Sequence, residues 1–121
     1  MYKISGVIER GFGLGTKISF PTINVAVPKD ESMKGVYVCK VKIDAKVDAF
    51  GAGYFGEKKG LPSDKFICEI HLLGDNFGDL TGEFAEIEFL EKIRDVQKTK
   101  NLEELKTLIR SDVKYIHDRF F

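Results

Sequence analysis

The chain has 121 residues, with 19 basic and 19 acidic side chains, so its formal net charge is zero. This length suits one domain, and a hydrophobic fraction of 43% supplies an apolar core and excludes a disordered chain. The balanced charge argues against a polyanion binder, and no stretch approaches the roughly 18 apolar residues of a membrane span. The N-terminus also lacks the pattern of a signal peptide. We therefore expect one cytoplasmic, monomeric domain over residues 1–121 that binds neither nucleic acid nor membranes.

The first half of the chain predicts four strands separated by glycine-rich or polar turns. Residues 35–43 show the pattern best, because apolar side chains alternate with Lys40 and Lys42. Such alternation is typical of a half-buried strand. The four strands are expected at residues 3–9, 22–27, 35–43 and 47–54.

Two further strands are expected at residues 66–73 and 82–91, after a polar loop at 55–65. Within 66–73, alternation places Ile67, Glu69, His71 and Leu73 on one face. The opposite face carries Phe66, Cys68, Ile70 and Leu72. About six short strands without room for helical crossovers indicate an antiparallel barrel or sandwich.

The C-terminal region predicts one amphipathic helix over residues 102–119. Asn101 and Glu104 have the spacing of a capping box, in which the asparagine side chain accepts a backbone N–H of the first turn. Apolar residues follow at helical spacing, so we expect the helix to lie on the barrel as a lid. These residues are Leu102, Leu105, Leu108, Ile109, Val113, Ile116 and Phe120.

Cys39 and Cys68 are the two cysteines, and each lies inside an apolar, strand-like run. Their separation fits no zinc-site spacing. We interpret them as reduced thiols of the core, with a disulfide possible only if their strands are neighbours.

A glycine-rich loop, RGFGLGTKISFP, connects the first two predicted strands. It lacks the Gly-Lys-Ser/Thr order of a Walker A motif and the third glycine of a Rossmann fingerprint. Its alternate glycines would still let backbone N–H groups approach a phosphate, with Arg10 and Lys17 on either side. Taken alone, the loop is somewhat more typical of a flexible hairpin connection. The candidate phosphate-binding residues are Gly11, Gly13, Gly15, Thr16 and Lys17.

The segment Pro21-Thr22-Ile23-Asn24 follows this loop. Thr22 and Asn24 are two residues apart, so on a strand their side chains point to the same face. A hydroxyl and an amide carbonyl are hard oxygen ligands that could help to hold Mg²⁺ together with nucleotide phosphates. The alternative is that both are ordinary residues of a sheet surface.

Glu69 is the acidic residue of the strand predicted at 66–73, and its neighbours along the chain are apolar. Such surroundings can raise the pKa of a carboxyl group and suit it to act as a general base. A solvated strand glutamate is the more common alternative.

Taken in order, these segments resemble the riboflavin kinase family that uses ATP. Gly6-Val7 followed by RGFGLGTKISFPTIN resembles the family's opening, which ends in L-G-F-P-T-A-N. Each motif is weak alone, but five in order across nearly the whole chain are a strong signal. The other four are Lys34-Gly35-Val36-Tyr37 (family G-V/I-Y), Glu69-Ile70-His71-Leu72-Leu73 (E-x-H-L-L), Asp79-Leu80-Thr81-Gly82 (D-L-Y-G) and Ile93-Arg94-Asp95 (L-R-x-E).

The resemblance implies a fold and a reaction. The fold would be mainly β, a six-stranded antiparallel Greek-key β-barrel with a C-terminal α-helix. The reaction would be transfer of the γ-phosphate of ATP to riboflavin, with Mg²⁺ as cofactor, giving FMN and ADP. The family's bacterial fusion partner, an adenylyltransferase domain, is not matched, so we expect no FAD synthesis by this chain.

The resemblance also implies roles for individual residues. The family's Mg²⁺ and phosphate contacts fall on Thr22 and Asn24, next to Pro21, and its catalytic base falls on Glu69. The glycine-rich loop would cover the nucleotide phosphates. Arg94 and the final helix would close over the flavin.

Several positions depart from the family pattern. Segment 52–56 differs from the family's N-I-G-x-x-P-T-F, although the catalytic positions are kept. This drift motivates a second hypothesis, a barrel that holds flavin or nucleotide without turnover. A third hypothesis is a kinase for another small alcohol. The other departures are Ser19, Gly74, Thr81 and Thr99.

Overall fold

The computed structural model describes residues 2–9, 21–44, 47–57, 65–74 and 77–121. These residues form six strands, a short 3-10 turn at Glu31–Met33 and an α-helix, α1, at Leu102–Phe120. Among them, no helix is both long and apolar enough to cross a membrane. The strands are β1 Tyr2–Val7, β2 Thr22–Val27, β3 Gly35–Ile43, β4 Val47–Glu57, β5 Phe66–Leu72 and β6 Phe84–Arg94.

All strand pairs are antiparallel, and the six strands form one sheet in the order β1-β6-β3-β4-β5-β2. The sheet curls until the chain after β1 reaches β2, where the Glu9 N–H donates to the Asn24 carbonyl at 2.8 Å. The strands therefore form a curled half-barrel. The predicted fold, six antiparallel strands with a C-terminal helix, is confirmed.

The inner face of the curled sheet holds the main apolar core. Strand alternation sends every second side chain of β2 to β6 into it, as the period of two requires. Cys39 and Cys68 are fully buried there as free thiols, which confirms their prediction as reduced core residues. Burial raises the pKa of both thiols well above the ordinary value. Core members from the central strands include Tyr37, Val41, Phe55, Ile70, Leu72, Ile87 and Phe89.

Close packing in this core depends on glycines of β4. A Cβ built on Gly53 would lie 2.5 Å from the Cys39 sulfur, which is closer than real atoms approach. A Cβ on Gly51 would lie 2.5 Å from a methyl carbon of Ile70. At these two inward positions of β4, side chains of the neighbouring strands occupy the space that a larger residue would need.

Helix α1 packs on the outer face of the same sheet. Its Ile116 is fully buried against Val38 of β3 and Ala52 of β4, in a second, smaller apolar cluster. The Asn101 side chain accepts the Glu104 N–H at 2.9 Å and so caps the helix as predicted. The expectation that the helix covers the barrel is confirmed.

Several strand boundaries differ from those expected: β1 is Tyr2–Val7 rather than 3–9, β5 ends at Leu72 and β6 begins at Phe84. Two strands also run further at their C-terminal ends than expected. Residues 55–57 belong to β4 rather than to a polar loop, because Phe55 fills the core and the strand pairs with β5 up to Glu57. Strand β6 runs to Arg94 rather than to residue 91, because register shifts after Val36 and Val38 let it follow β3 further.

Candidate active site

A row of side chains crosses the outer face from β2 to β6. Directly opposed partners link Asn24 to Glu69, Glu69 to Tyr54, Tyr54 to Val36 and Val36 to Arg94. Opposed residues point to the same side of a sheet, with Cβ atoms roughly 5 Å apart. The register therefore brings three predicted site residues onto one face, with Arg94 four strands away from Asn24.

The next row contains a polar cluster at the β2–β5 pair. Thr22 is the register partner of His71, and its Oγ1 lies 3.1 Å from the imidazole Nδ1. The other imidazole nitrogen, Nε2, lies 3.6 Å from Oε1 of Glu69. We refer to these three residues as the Thr22–His71–Glu69 cluster. It connects the predicted metal ligand to the predicted base through a residue that was not predicted to belong to the site.

The histidine of this cluster is neutral at physiological pH. His71 is 5% exposed, and its burial lowers the pKa from 6.5 to about 4. Its contact with Glu69 is therefore between a neutral imidazole and a carboxyl group that is 29% exposed, rather than a salt bridge. The partial exposure of Glu69 leaves that carboxyl group accessible from the cleft described next.

A cleft of about 290 Å³ lies between the outer face and α1. Its volume is near the lower end for small-molecule sites, and its apolar wall with a few convergent polar groups is typical of them. The sheet contributes Val36, Ala52, Tyr54, Ile67, Glu69, His71 and Arg94, and the helix contributes Leu105, Leu108, Ile109 and Asp112.

Arg94 fastens the helix to the sheet at one wall of this cleft. Its Nε and one terminal nitrogen each donate to a different oxygen of Asp112 at 2.9 Å, a bidentate arrangement. The two side chains are 19% and 5% exposed, so the pair is largely shielded from water. The guanidinium predicted to contact the flavin thus lines the cleft and is already engaged with the helix.

Tyr54 lies between Glu69 and Val36 in the outer row. Its hydroxyl donates to the Glu57 carbonyl at 2.8 Å, which holds the ring over the end of β4. A Cβ on Gly56 would lie 2.8 Å from the phenol oxygen, so a glycine at 56 accommodates this ring position. Tyr54 therefore presents an aromatic surface next to the predicted base.

A smaller hollow, of about 140 Å³, is lined by Pro21, Thr22 and the 77–81 segment. Pro21 is held in place because its carbonyl accepts the Leu72 N–H at 2.8 Å. Thr22 lines this hollow and His71 lines the cleft, so their hydrogen bond joins the walls of both spaces. A group bound in one space would lie beside a group bound in the other.

The side chains here suit a magnesium ion that arrives with a nucleotide. In the part of the chain that the structure describes, no three His, Cys, Asp or Glu side chains cluster as a metal site. Thr22 and Asn24 offer a hydroxyl and an amide carbonyl on one strand face, which are hard ligands but too few alone. Phosphate oxygens and water would have to complete the coordination sphere.

A third hollow, of about 450 Å³, lies on the outer side of β1, β6 and β3, away from this cluster. Lys3 pairs with Glu88 at 3.5 Å, and Lys40 and Lys42 face glutamates across the strands. Lys40 also lies 4.0 Å from Asp48, so each lysine of this hollow already has an acidic neighbour. We therefore place the chemistry in the cleft beside α1 instead.

Part of the predicted site lies outside the described residues, and the structure adds candidate residues to the rest. Gly11, Gly13, Gly15, Thr16 and Lys17 lie outside the described residues, and their phosphate role stays a prediction. His71, Tyr54 and Asp112 were not predicted as site residues. Alternation on β5 already placed His71 beside Glu69, but its contact with Thr22 depends on a cross-strand register that the sequence does not reveal.

Comparisons with known proteins identify the family of this chain. The family model for riboflavin kinase (flavokinase) matches residues 1–120. The bifunctional riboflavin kinase/FMN adenylyltransferases of Haemophilus influenzae and Escherichia coli K12 are 32% and 34% identical over 113 and 112 residues. These matches cover 93% and 92% of this chain but 36% of each relative, so the chain spans little more than a third of their length.

Two solved structures share the fold. A riboflavin kinase from Trypanosoma brucei superposes with a TM-score of 0.66 over 96% of this chain and 77% of its own, at 24% identity. A protein described as a macrolide-efflux protein from Streptococcus pneumoniae gives 0.79 over 98% of this chain and 39% of its own, at 23% identity. At these identities the likeness concerns the fold alone.

Proposed function

Because the chain belongs to the riboflavin kinase family, we propose that it transfers the γ-phosphate of ATP to riboflavin, giving FMN and ADP. The observation that carries the proposal is the Thr22–His71–Glu69 cluster, which joins the wall of the small hollow to the wall of the cleft. Phosphoryl transfer needs such an arrangement, with a phosphate donor and an acceptor hydroxyl held in line.

In this mechanism Glu69 orients the terminal ribityl hydroxyl of riboflavin and accepts its proton. The hydroxyl oxygen forms a bond to the γ-phosphorus while the bond to the β,γ-bridging oxygen breaks, and ADP leaves. Glu69 suits the role because it lines the cleft and lies directly opposite Asn24. A positioned general base contributes roughly 10²–10⁴-fold to such a rate.

Thr22 and Asn24 would hold Mg²⁺ with the nucleotide phosphates. When bound, the ion would neutralise charge on the phosphate oxygens. Thr22 suits this role because it lines the small hollow, and Asn24 lies two residues further along the same face of β2. The glycine-rich loop with Gly11, Gly13, Gly15, Thr16 and Lys17 would cover the phosphates, since it leads directly into Pro21.

The cleft beside α1 would receive the flavin ring. Its walls are apolar side chains of the sheet and helix, together with the Tyr54 ring. Arg94 would act there mainly by holding α1 in place through Asp112. A location in the cytoplasm is supported by the two buried, free thiols, which are typical of a reducing compartment. We further propose that the protein acts as a monomer.

The direct test is incubation of the purified protein with riboflavin, ATP and Mg²⁺, followed by chromatography for FMN and ADP. We expect the two products in equal amounts, and none when ATP or Mg²⁺ is omitted. Tight riboflavin binding without any FMN would overturn the proposal and identify a binding module. Phosphorylation of a different small alcohol, with riboflavin left unchanged, would overturn the choice of substrate.

A further inference from the structure

His71 has no role in the mechanism above, yet it contacts two residues that do. Its Nδ1 lies 3.1 Å from the Thr22 hydroxyl, and its Nε2 lies 3.6 Å from a Glu69 carboxyl oxygen. The second distance is slightly longer than a hydrogen bond, and such contacts in ligand-free enzymes often tighten in the substrate complex. The imidazole is 5% exposed, so water does not compete effectively for these two nitrogens.

A neutral imidazole carries one N–H, and the surroundings decide which nitrogen holds it. If the proton were on Nδ1, the lone pair of Nε2 would face a carboxylate, and the two would repel. If the proton is on Nε2, its N–H points toward Glu69, and Nδ1 accepts the hydrogen of the Thr22 hydroxyl. The contacts on both sides of the ring are favourable only in this second form, since a hydroxyl can act as either donor or acceptor.

We infer that His71 is a positioning residue whose Nε2-protonated imidazole makes the Thr22 hydroxyl a donor and holds Glu69 as a carboxylate. This inference rests on the proposed kinase function. A threonine hydroxyl that donates to His71 turns its lone pairs toward its other neighbours, as a cation or phosphate ligand must. A carboxylate that faces an N–H retains the charge that it needs to accept a proton.

The burial of His71 supports this picture, because at 5% exposure few water molecules can reach the ring and replace either contact. His71 then sets the hydrogen-bond direction of the Thr22 hydroxyl on the phosphate side and keeps Glu69 charged on the side of the acceptor hydroxyl. Partners that orient ligands or bases in this way typically contribute about 10- to 100-fold to affinity or activity.

Two amide substitutions separate the two contacts of the ring. In His71→Asn the amide reaches the place of Nδ1 and keeps the Thr22 contact. In His71→Gln it reaches the place of Nε2 and keeps the Glu69 contact. We expect His71→Asn to lower kcat about 10- to 100-fold with little change in KM for Mg·ATP. We expect His71→Gln to raise that KM with a smaller loss of kcat.

His117→Gln is the matched control, because this other histidine is exposed near the end of α1. It should leave both kinetic constants unchanged. If both His71 variants are folded by circular dichroism and show the same fall in kcat and the same rise in KM, the role of His71 is structural and the inference is overturned. Normal kinetics in both would overturn it as well.

A measurement that leaves His71 in place avoids the question of whether a His71 variant folds. The chain has two histidines, so His117→Gln leaves one imidazole in a ¹⁵N NMR spectrum recorded at pH 7 without ATP, Mg²⁺ or riboflavin. We expect an unprotonated Nδ1 and a protonated Nε2, and we expect Thr22→Val to shift the Nδ1 resonance.

This spectrum also separates the inference from the proposed function. An active kinase whose His71 carries its proton on Nδ1 would overturn the inference and leave the function standing. A protein that makes no FMN but has an Nε2-protonated His71 would overturn the function and support the assigned hydrogen-bond direction.

Discussion

The two faces of β5 differ in chemistry, although their residues alternate along a single strand. On the inner face, Phe66, Cys68, Ile70 and Leu72 are buried in the apolar core. On the outer face, Glu69 and His71 line the cleft with Ile67. In the proposed mechanism, strand alternation therefore separates residues of the core from residues of catalysis at a spacing of one residue. Substitutions at adjacent positions should therefore have different kinds of effect.

The largest effect is expected on the outer face, for Glu69→Gln. The amide keeps the shape of the side chain but cannot accept the proton, so kcat for FMN formation should fall roughly 10²–10⁴-fold. The Kd for riboflavin should change little. Glu88→Gln is a matched control, because its carboxyl group on β6 is 28% exposed, close to the 29% of Glu69. A normal kcat for Glu69→Gln would contradict the assignment of the base.

The next effect is on the inner face, for Ile70→Ala. Removing a fully buried side chain should lower the free energy of unfolding by about 2–5 kcal/mol, measured by urea titration. The kcat of the folded fraction should stay close to that of the parent. Ile67→Ala on the outer face is the comparison, because its cavity would open into the cleft. It should raise KM for riboflavin more than Ile70→Ala does, and lower the free energy of unfolding less. The reverse pattern would break the comparison.

His71 lies on the outer face but should also contribute to stability. Its contribution should depend on pH, because the folded and unfolded chains bind its proton with different affinity. Its pKa is about 4 in the folded protein, against an ordinary 6.5. The unfolded chain therefore binds the proton more readily. The stabilisation is complete above pH 6.5 and is lost as the pH falls toward 4, by up to about 3 kcal/mol. Urea titrations across this range should show a shallower pH dependence for His71→Asn than for the parent and for His117→Gln.

Asp112→Asn should destabilise the attachment of α1. The substitution leaves the Arg94 guanidinium facing an amide instead of two carboxylate oxygens, both at 2.9 Å. Loss of charge-assisted hydrogen bonds at a shielded site should cost about 2 kcal/mol of unfolding free energy and raise KM for riboflavin. Asp118→Asn is the control, because its ion pair with Lys114 is exposed, and we expect little change. Equal effects of the two substitutions would contradict this role of Arg94.

The smallest effect is expected for Asn24→Ala. Loss of one ligand should raise KM for Mg·ATP about tenfold, which corresponds to about 1.4 kcal/mol, without changing KM for riboflavin. Asn101→Ala provides the contrast, because that side chain caps α1 and should alter stability only. An unchanged dependence of activity on Mg²⁺ concentration in Asn24→Ala would exclude the metal role.

The sequence predicted the strand faces and the helix well, because these follow from side-chain periods within each element. Alternation placed Glu69 and His71 together, and the spacing of Asn101 and Glu104 marked the start of α1. The order of neighbouring residues across strands could not be predicted in the same way. The row from Asn24 to Arg94 depends on register, and the register shifts after Val36 and Val38 alter it at the β6 end. The bidentate pair of Arg94 and Asp112 depends in addition on how the helix lies over the sheet.

The contact between Gly53 and Cys39 has a consequence for how this sequence can change over time. A methyl group at position 53 would collide with the Cys39 sulfur, but it would lie 3.7 Å from the Cys39 Cβ, an ordinary contact. Alanine at 53 is therefore tolerated only in a background that has already lost the thiol, for example through Cys39→Ala. The order of the two substitutions therefore matters: Cys39→Ala has to come first, and Gly53→Ala alone should be disfavoured.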